Sequence, residues 1–303
     1  MRGKLVFLGT SAGVPTRDRS LSSMALIWKG EVILFDAGEG TQHNMLKAGI
    51  SPMKVTKVFI THLHGDHILG LPGLIMTMDL LGREEPLMVY GPKGLNAFLS
   101  CLLPTIYEDS VDFRVESAEI AERGLVVEEK DYRVFAARSL HSVEAWAFKF
   151  EEKDRPGKFN EAAAKRLGVP PGPLRTALTR GTPVTVRGRT IEPRDVVGPP
   201  RPGFKMVYTG DTAFSEEIVE LSRGVDLLVH EATFESSKAD SARKVMHSVS
   251  RDAAKVASMA GVKQLILTHV SARYQDVNTI LKEAKEEFNG VKVAKDLMEL
   301  EIE

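Results

Sequence analysis

A stretch rich in histidine is the part of this sequence best equipped to do chemistry. It reads Thr61-His62-Leu63-His64-Gly65-Asp66-His67 and directly follows an apolar run. Its neutral nitrogen and hard oxygen donors suit zinc or a similar divalent ion. His62 and His64 lie two residues apart, so in an extended segment their side chains project to the same side. Asp66 and His67 follow a glycine and can face a second ion, which predicts two metals about 3.5–4 Å apart.

Three later donors complete such a site. Each follows a short apolar run, and they are His141, Asp211 and His269. Functional side chains in α/β folds collect beyond the carboxyl ends of strands, so donors at the same relative position in distant segments predict one shared site. Taken alone, His141 would more often be a structural histidine than a ligand. For the first stretch, the alternative is a run of solvated or packed histidines.

The number of donors suggests how the ligands divide between two ions. We expect two sets of three and one bridge: His62, His64 and His141; Asp66, His67 and His269; and Asp211 between them. A water held between the ions would be acidified toward a pKa of about 7, which supplies hydroxide at neutral pH. Asp66 is in addition a candidate to orient or deprotonate that water.

Two further positions carry residues typical of catalytic sites. His247 begins a predicted helix, and we interpret it as a candidate general acid for a leaving alkoxide. The alternative is a helix-capping or solvated histidine. His230 and Glu231 end a predicted strand, and either support of the metal ligands or a proton relay would account for them.

Composition excludes several classes of protein. With 43% hydrophobic residues, the chain of 303 residues can build a full core. It contains no run of 18 or more apolar residues, so we expect no membrane-spanning helix. The start of the chain resembles a strand and turn, not a signal peptide. The single cysteine, Cys101, permits no internal disulfide, is expected to be a buried core thiol, and fits the cytoplasm.

The elements that must position these residues alternate between short apolar runs and helical stretches, which predicts α/β layering with helices outside the sheets. Predicted strands are Lys4-Leu8, Ala25-Trp28, Val32-Phe35, Val58-Ile60, Leu87-Tyr90, Asp112-Val115, Tyr132-Ala136, Trp146-Phe150, Met206-Tyr208, Leu227-Val229 and Leu265-Leu267. Predicted helices are Gly40-Ala48, Ile68-Leu81, Lys93-Ser100, Glu161-Leu167, Ser215-Arg223, His247-Ala260 and Val277-Phe288.

The segment 151–205 departs from this pattern. It holds nine of the fifteen prolines and seven glycines, and its Pro-rich runs are unsuited to helix interiors or central strands. Within it, residues 155–205 carry eleven Lys and Arg against three Asp and Glu, although the whole chain has a net charge of −1. We expect one domain over 1–303 with a protruding arm at 151–205 that ends in a small hairpin (Val184-Val186 and Arg189-Ile191). An ordinary linker or surface loop is the alternative.

The motifs together resemble a known family. His-x-His-x-Asp-His with later His, Asp and His is similar to the metallo-β-lactamase superfamily, an αββα sandwich that carries a dizinc site. Within that superfamily, the chain resembles the ribonuclease Z family in segments spread over nearly its whole length. They are Phe7-Thr16, Leu34-Gln42, Phe59-His67, Gly198-Gly203, Tyr208-Thr212, His230-Phe234 and Thr268-Tyr274. Where that family shows His-Ser-Thr, this chain has His247-Ser248-Val249.

The resemblance implies an endoribonuclease that removes the 3′ trailer from precursor tRNA and leaves a tRNA 3′-hydroxyl and a trailer 5′-phosphate. It also implies a homodimer, two Zn²⁺ per subunit and an arm that clamps the tRNA. By position it assigns the seven ligands given above, Asp66 as proton acceptor and His247 as a catalytic residue.

Substrate contacts are less strongly indicated. Ser271 and Arg273 follow His269 and are candidates to hold the scissile or a neighbouring phosphate, and Arg17, Asp18 and Arg19 lie where a first loop would meet the trailer. One alternative function is a small-molecule hydrolase of the same superfamily, which gives no reason for a basic, Pro-braced arm. Another is a non-catalytic nucleic-acid-binding module, which leaves His247 without a role.

Overall fold

The computed structural model describes residues 2–106 and 111–302. Within this part of the chain, a first sheet has seven strands. From edge to edge they are β18 (Glu299–Ile302), β1 (Gly3–Gly9), β3 (Ser23–Trp28), β4 (Glu31–Phe35), β5 (Val55–Phe59), β6 (Leu87–Gly91) and β7 (Val115–Glu119). The strands β4, β5, β6 and β7 run parallel.

A second sheet, over the same described residues, also has seven strands. From edge to edge they are β17 (Val291–Val293), β15 (Gln264–Thr268), β14 (Leu227–Glu231), β13 (Lys205–Tyr208), β10 (Trp146–Glu152), β9 (Tyr132–Arg138) and β8 (Gly124–Glu128). Two short pairs complete the strands, β2 (Ser11–Ala12) with β16 (Val270–Ser271) and the hairpin β11 (Val184–Val186) with β12 (Arg189–Ile191).

The helices lie between strands along the chain. They are α1 (Thr41–Lys47), α2 (Gly65–Ile68), α3 (Gly70–Leu80), α4 (Leu95–Ile106), α5 (Glu161–Arg166), α6 (Pro173–Thr179), α7 (Glu216–Leu221), α8 (Ala239–Lys244), α9 (Ser250–Ala260) and α10 (Asn278–Glu287). Short 3₁₀ turns lie at Pro52–Lys54, Pro193–Asp195 and Ser236–Lys238. In the described part of the chain, no helix has both the length and the apolar character needed to cross a membrane.

Each sheet is covered by helices on one face and meets the other sheet on its second face. Val32 and Leu34 of β4 pack in one cluster with residues of α1, α3 and α4, whereas Phe35 points the other way. There an aromatic layer joins the sheets, since the rings of Phe59 in β5 and Phe148 in β10 have centroids 5.1 Å apart. The second sheet packs against α7, α9 and α10. The predicted αββα arrangement is therefore confirmed.

Contacts divide the chain into two compact units. The first comprises Met1–Glu128, Val134–Phe150 and Lys205–Glu303, and the second comprises Glu129–Arg133 and Glu151–Phe204. The predicted arm falls in the second unit as far as Phe204. This unit has a hydrophobic cluster of its own, in which Ala164, Leu178 and Ile191 are buried, so the segment contains more than a connector with a hairpin.

Several predicted elements are corrected by the structure. Cys101 is exposed on α4 and is not a core thiol. The strand predicted at Asp112-Val115 begins only at Val115. A helix that the sequence reasoning missed, α6, begins at Pro173, which is compatible with a helix because the first helical residue needs no amide donor. The helix predicted from His247 begins at Ser250, because Ser248 and Val249 are engaged with neighbouring segments.

Candidate metal centre

The residues predicted to bind metal lie just past the ends of strands from both sheets. The stretch from His62 to His67 follows β5. The other three residues, His141, Asp211 and His269, follow β9, β13 and β15 in that order. The strands β13, β14 and β15 are parallel neighbours, so their carboxyl ends lie at one edge. The structure thus brings donors from four distant segments to one place.

One cluster gathers four of these donors. His62, His64, His141 and Asp211 each offer an atom within 4.8 Å of the others. Nδ1 of His64 lies 3.0 Å from Nε2 of His62 and 3.3 Å from Nε2 of His141. Asp211 Oδ2 lies 3.7 Å from Nε2 of His62. Such convergence of ring nitrogens and a carboxylate is a pattern that a cation accounts for.

The second cluster lies beside the first. Asp66, His67 and His269 again place donor atoms within 4.8 Å of one another. Asp66 Oδ2 lies 3.4 Å from Nε2 of His269 and 3.5 Å from Nε2 of His67. Asp211 reaches this cluster too, since its Oδ2 is 3.4 Å from His67 Nε2 and its Oδ1 is 3.2 Å from His269 Nε2. Asp211 therefore occupies the bridging position between the two clusters.

Asp211 can occupy this bridging position because the residue before it is a glycine. Gly210 has a φ of 57°, and a Cβ there would lie 2.7 Å from side-chain atoms of Thr61. A larger residue would therefore be strained and would collide with the segment that carries His62.

Hydrogen bonds to the far ring nitrogens turn four of the histidines toward the centre. Nδ1 of His141 donates to the carbonyl of Met246 at 3.1 Å. Thr61 Oγ1 donates to Asp36, so it accepts from Nδ1 of His62 at 3.0 Å. Thr233 Oγ1 donates to Glu231, so it accepts from Nδ1 of His269 at 2.9 Å. His67 donates Nδ1 to Asp36 at 2.7 Å. Each bond leaves Nε2 as a lone-pair donor.

Asp36 is a buried carboxylate whose part in the site was missed by reasoning from the residues. Its Oδ1 accepts the amide of Thr61 at 2.7 Å, and its Oδ2 accepts the hydroxyls of Thr61 and Tyr208 at 3.0 Å, besides the bond from His67. Its φ of 57° is unusual for a residue other than glycine. The available signal was its position, directly after β4 like the ligands after their strands.

Glu231 organises the opposite side of the site. Its Oε1 lies 2.7 Å from Nδ1 of His247 and accepts the amide of Thr212, while its Oε2 accepts the Thr233 hydroxyl at 2.6 Å. Through Thr233 the same carboxylate also orients His269. His230, the adjacent residue in β14, is buried, and its Nδ1 contacts the Glu231 carbonyl at 2.7 Å. Of the predicted pair, the Glu231 carboxylate holds residues of the site, whereas the His230 ring bonds a backbone carbonyl.

His247 lies at the rim of the cluster and not at a helix start. Its ring stacks on that of His269 with centroids 5.5 Å apart and meets that of His141 at 5.0 Å. The preceding residue, Met246, has a φ of 55° and supplies the carbonyl that binds His141. One turn therefore presents both a candidate acid and the acceptor that orients a candidate ligand.

Burial and charge shift the pKa values of these groups in opposite directions. Burial would raise the pKa of Asp211, but the imidazoles of His269 and His67 outweigh it and hold that pKa well below 3.8. Burial also opposes charge on His247, but the charge of Glu231 and its hydrogen bond raise the pKa to about 9. The pKa of His62 falls well below 6.5 because of burial and the neighbouring His67.

Carboxylate charge is concentrated around His67. Burial alone would lower the pKa of this imidazole, but Asp211 and Asp36 raise it well above 6.5. The same negative charge that favours a proton here favours a divalent cation, whose binding would displace the proton.

The arrangement fits a pair of metal ions. Asp211 Oδ1 is buried and, among the described residues, accepts no hydrogen bond, so it is available as a ligand. The donor set of imidazole nitrogens and carboxylate oxygens suits zinc. Two adjoining clusters that share a carboxylate are compatible with metal binding at this place.

Of the predicted substrate contacts, Ser271 and Arg273 follow His269 in the chain. Arg273 is exposed, its guanidinium lies 4.8 Å from the centroid of the Phe234 ring, and its Nε donates to Ser271 Oγ at 3.0 Å. In the first loop, Arg17 and Asp18 are exposed, whereas Arg19 donates to Thr10 and to the Ala294 carbonyl. Arg19 is thus already used to hold the loop in place. Gly13 of the same loop donates its amide to Asp66 Oδ2 at 2.8 Å.

Comparison with known proteins agrees with this geometry. A model described as "Beta-lactamase superfamily domain" matches residues 178–270, and one described as "Anti-Pycsar protein Apyc1" matches residues 3–110. A protein of Methanothermobacter thermautotrophicus named "Ribonuclease Z" is 50% identical over 99% of this chain and 96% of its own length. A protein of the same name from Bacillus velezensis is 44% identical over 99% of both chains.

A solved structure gives the same result in three dimensions. The crystal structure of the short form of human tRNase Z superposes with a TM-score of 0.73 at 27% identity, covering 99% of both chains. The likeness therefore extends from end to end and includes the segment between β10 and β13.

Proposed function

Since the chain belongs to the ribonuclease Z family, we propose that it is the endoribonuclease that removes the 3′ trailer from precursor tRNA. As a member of that family it is a metal-dependent nuclease with a metallo-β-lactamase fold. The observation that carries the proposal is the convergence of His62, Asp66, His141, Asp211 and His269 in two adjoining clusters.

The seven predicted ligands are proposed to hold two zinc ions. His62, His64 and His141 would bind one ion, Asp66, His67 and His269 the other, and Asp211 both. When bound, the two cations would acidify a water and neutralise charge on the phosphodiester that this water attacks. Asp36, Thr61, Thr233 and the Met246 carbonyl fix the ring orientations that this binding requires.

The chain's own groups are proposed to move the protons. Asp66, held by the Gly13 amide at 2.8 Å, accepts a proton from the attacking water. His247, kept protonated by Glu231, donates a proton to the departing 3′-oxygen. The products are a tRNA with a 3′-hydroxyl and a trailer with a 5′-phosphate. A positioned acid or base typically accelerates such a step about 10²–10⁴-fold.

The basic segment 155–205 is proposed to bind the tRNA. Its eleven cations suit contacts to phosphates, which set affinity and position without reading sequence. Folded tRNA would be recognised mainly by shape. Ser271 and Arg273, which lie just past His269, are proposed to hold a phosphate near the cleavage site.

A homodimer is also proposed, and one helix face supports it. Leu69 is the residue before α3, and Met76 and Leu80 lie in the helix; their spacing of seven and four residues places them on one side of it. Leu80 is 80% exposed and Leu69 is 57% exposed, which is costly for a monomer in water. A cytoplasmic location is proposed together with the tRNA substrate.

The test of the proposed function is direct. Purified protein is incubated with a 5′-labelled precursor tRNA, with and without chelator, and the cut is mapped to the nucleotide. We expect one cut at the 3′ end of the acceptor stem that disappears with chelator and returns with zinc. Cleavage at scattered positions, or cleavage that persists without metal, would contradict the proposal.

Replacing the bridging carboxylate tests the metal assignment. Asp211→Ala should bind less than two zinc ions per subunit and should lose metal-dependent turnover, since both clusters share this residue. The matched control is Asp276→Ala, which removes an exposed carboxylate. Metal content is measured by mass spectrometry on the native protein. Full activity in Asp211→Ala would refute the assignment.

A further inference from the structure

A cavity of about 480 Å³ opens beside His247. Its walls include the apolar side chains of Leu140, Phe214 and Met246, and its one arginine is Arg243. Leu140 is 50% exposed and Met246 is 40% exposed, although both are large and apolar. The volume lies within the range of about 300–1,000 Å³ typical of sites for small organic groups.

The walls of this cavity are attached to the metal centre. Leu140 precedes His141, and Ala213 and Phe214 follow Asp211 after a single residue. The two loops are tied together, because Ala213 donates its amide to the Leu140 carbonyl at 2.8 Å and Leu140 donates its amide to Thr212 Oγ1 at 3.0 Å. A group bound in the cavity would therefore be held in register with the reacting phosphate.

We propose that this cavity binds the base of the nucleotide whose 3′-oxygen leaves. This is the nucleotide directly before the cut. The inference rests on the proposed function. His247 must come within hydrogen-bond distance of the departing 3′-oxygen to protonate it. The ribose that carries this oxygen then lies next to His247, and the cavity that His247 borders is within reach of its base.

The chemistry of the walls fits an unpaired base. Proteins bind unpaired bases by stacking them on aromatic or apolar side chains and by arginine contacts. Phe214 and Leu140 supply apolar surface, and Arg243 supplies a cation. Arg243 pairs with Asp240 at 3.2 Å, but both side chains are exposed, so this pair holds the guanidinium only weakly. Asp252, also at the wall, is engaged with the Val249 amide of the helix cap.

The experiment combines a protein change with a substrate change. Two precursor tRNAs are compared, one normal and one with an abasic nucleotide directly before the cut. With wild-type protein, kcat/KM should fall about tenfold on the abasic substrate, within the range measured for loss of one stacked base. Phe214→Ala should show a similar fall on the normal substrate and almost no further fall on the abasic one.

Controls separate base binding from other effects. Met259→Ala removes an exposed apolar side chain of α9 outside the cavity and should leave both substrates unchanged. Phe214→Leu, which keeps an apolar side chain, guards against misfolding of the alanine variant and should lie between it and wild type. Thermal melting and zinc content are checked for each protein.

The outcomes distinguish this inference from the proposed function. Equal loss on normal and abasic substrates, or no loss from Phe214→Ala, would overturn the base site while cleavage of precursor tRNA still stands. If the cavity instead contacts a second copy of the chain, Phe214→Ala should change the mass of the protein in solution, and its effect on activity should not depend on the abasic nucleotide. That result would also overturn the base site. If wild-type protein does not cut the normal precursor, the proposed function fails and the base site fails with it.

Discussion

Each ring that offers Nε2 to the centre is held at Nδ1 by a group that does not itself face the metal. For His67 that group is Asp36, and for His269 it is Thr233, which is held in turn by Glu231. Partners of this kind fix both the tautomer and the ring plane. The supporting residues are therefore as testable as the ligands.

Asp36→Asn should weaken zinc binding. The amide removes one negative charge next to His67 and replaces an acceptor of four bonds with a group that is partly a donor. We expect an affinity loss of about 10–100-fold, as is typical for such partners. Competition with a chromogenic chelator measures it, with Asp240→Asn, an exposed carboxylate, as control. Unchanged affinity would show that His67 does not need Asp36.

Glu231→Gln should move the alkaline limb of the pH–rate profile. The Glu231 charge raises the pKa of His247 to about 9, so the acid form persists up to that pH and is lost above it. Without the charge the pKa falls, and the decline in kcat should begin about 1–3 pH units lower. The control Glu220→Gln changes an exposed pair. A lower plateau with an unmoved limb would indicate a purely structural role for Glu231.

At the scale of elements, we expect the basic segment 155–205 to bind RNA and the strands that carry the candidate metal ligands to support hydrolysis. Deleting residues 155–200 removes most of the second unit, including its buried Ala164, Leu178 and Ile191. We expect this deletion to weaken binding of precursor tRNA strongly and to leave hydrolysis of a small aryl phosphodiester nearly intact. Binding is measured by filter retention and hydrolysis by absorbance. Equal loss of both activities would count against a separate RNA-binding segment.

A milder change tests the same element without deleting it. Arg187 lies in the exposed turn of the hairpin β11–β12, and Arg189 begins β12. If each contacts a phosphate, replacing both with glutamine should reduce the slope of log affinity against log salt by about 1 per contact. Arg114→Gln, which changes an exposed arginine of the first unit, is the control and should leave the slope unchanged.

At the scale of the whole molecule, the apolar face of α3 predicts association of two chains. Leu80→Lys places a charge where we expect a buried contact and should shift the protein from dimer to monomer in light scattering. Leu125→Lys, at another exposed leucine, should leave the mass unchanged. A monomeric wild-type protein, or a dimer that tolerates Leu80→Lys, would contradict the proposed interface.

The layered fold was predictable because short apolar runs such as that of β4 and the periodicity of helices such as α9 are local signals. The seven metal-binding candidates were predictable because donors followed short apolar runs. Asp36, Thr233 and the Met246 carbonyl were not, because the first two are common residue types whose importance arises from partners far along the chain, and the third is a backbone atom. The exposure of Cys101 and the helix at Pro173 likewise depend on tertiary packing that local composition does not encode.

The turn at Met246 joins two tasks in a single peptide unit. Its carbonyl aims His141, and the next side chain is His247. Altering the length of this turn would displace the proposed ligand His141 and the proposed acid His247 together. A designer who transplants this chemistry onto another sandwich would have to carry the turn over intact, with its left-handed backbone angle.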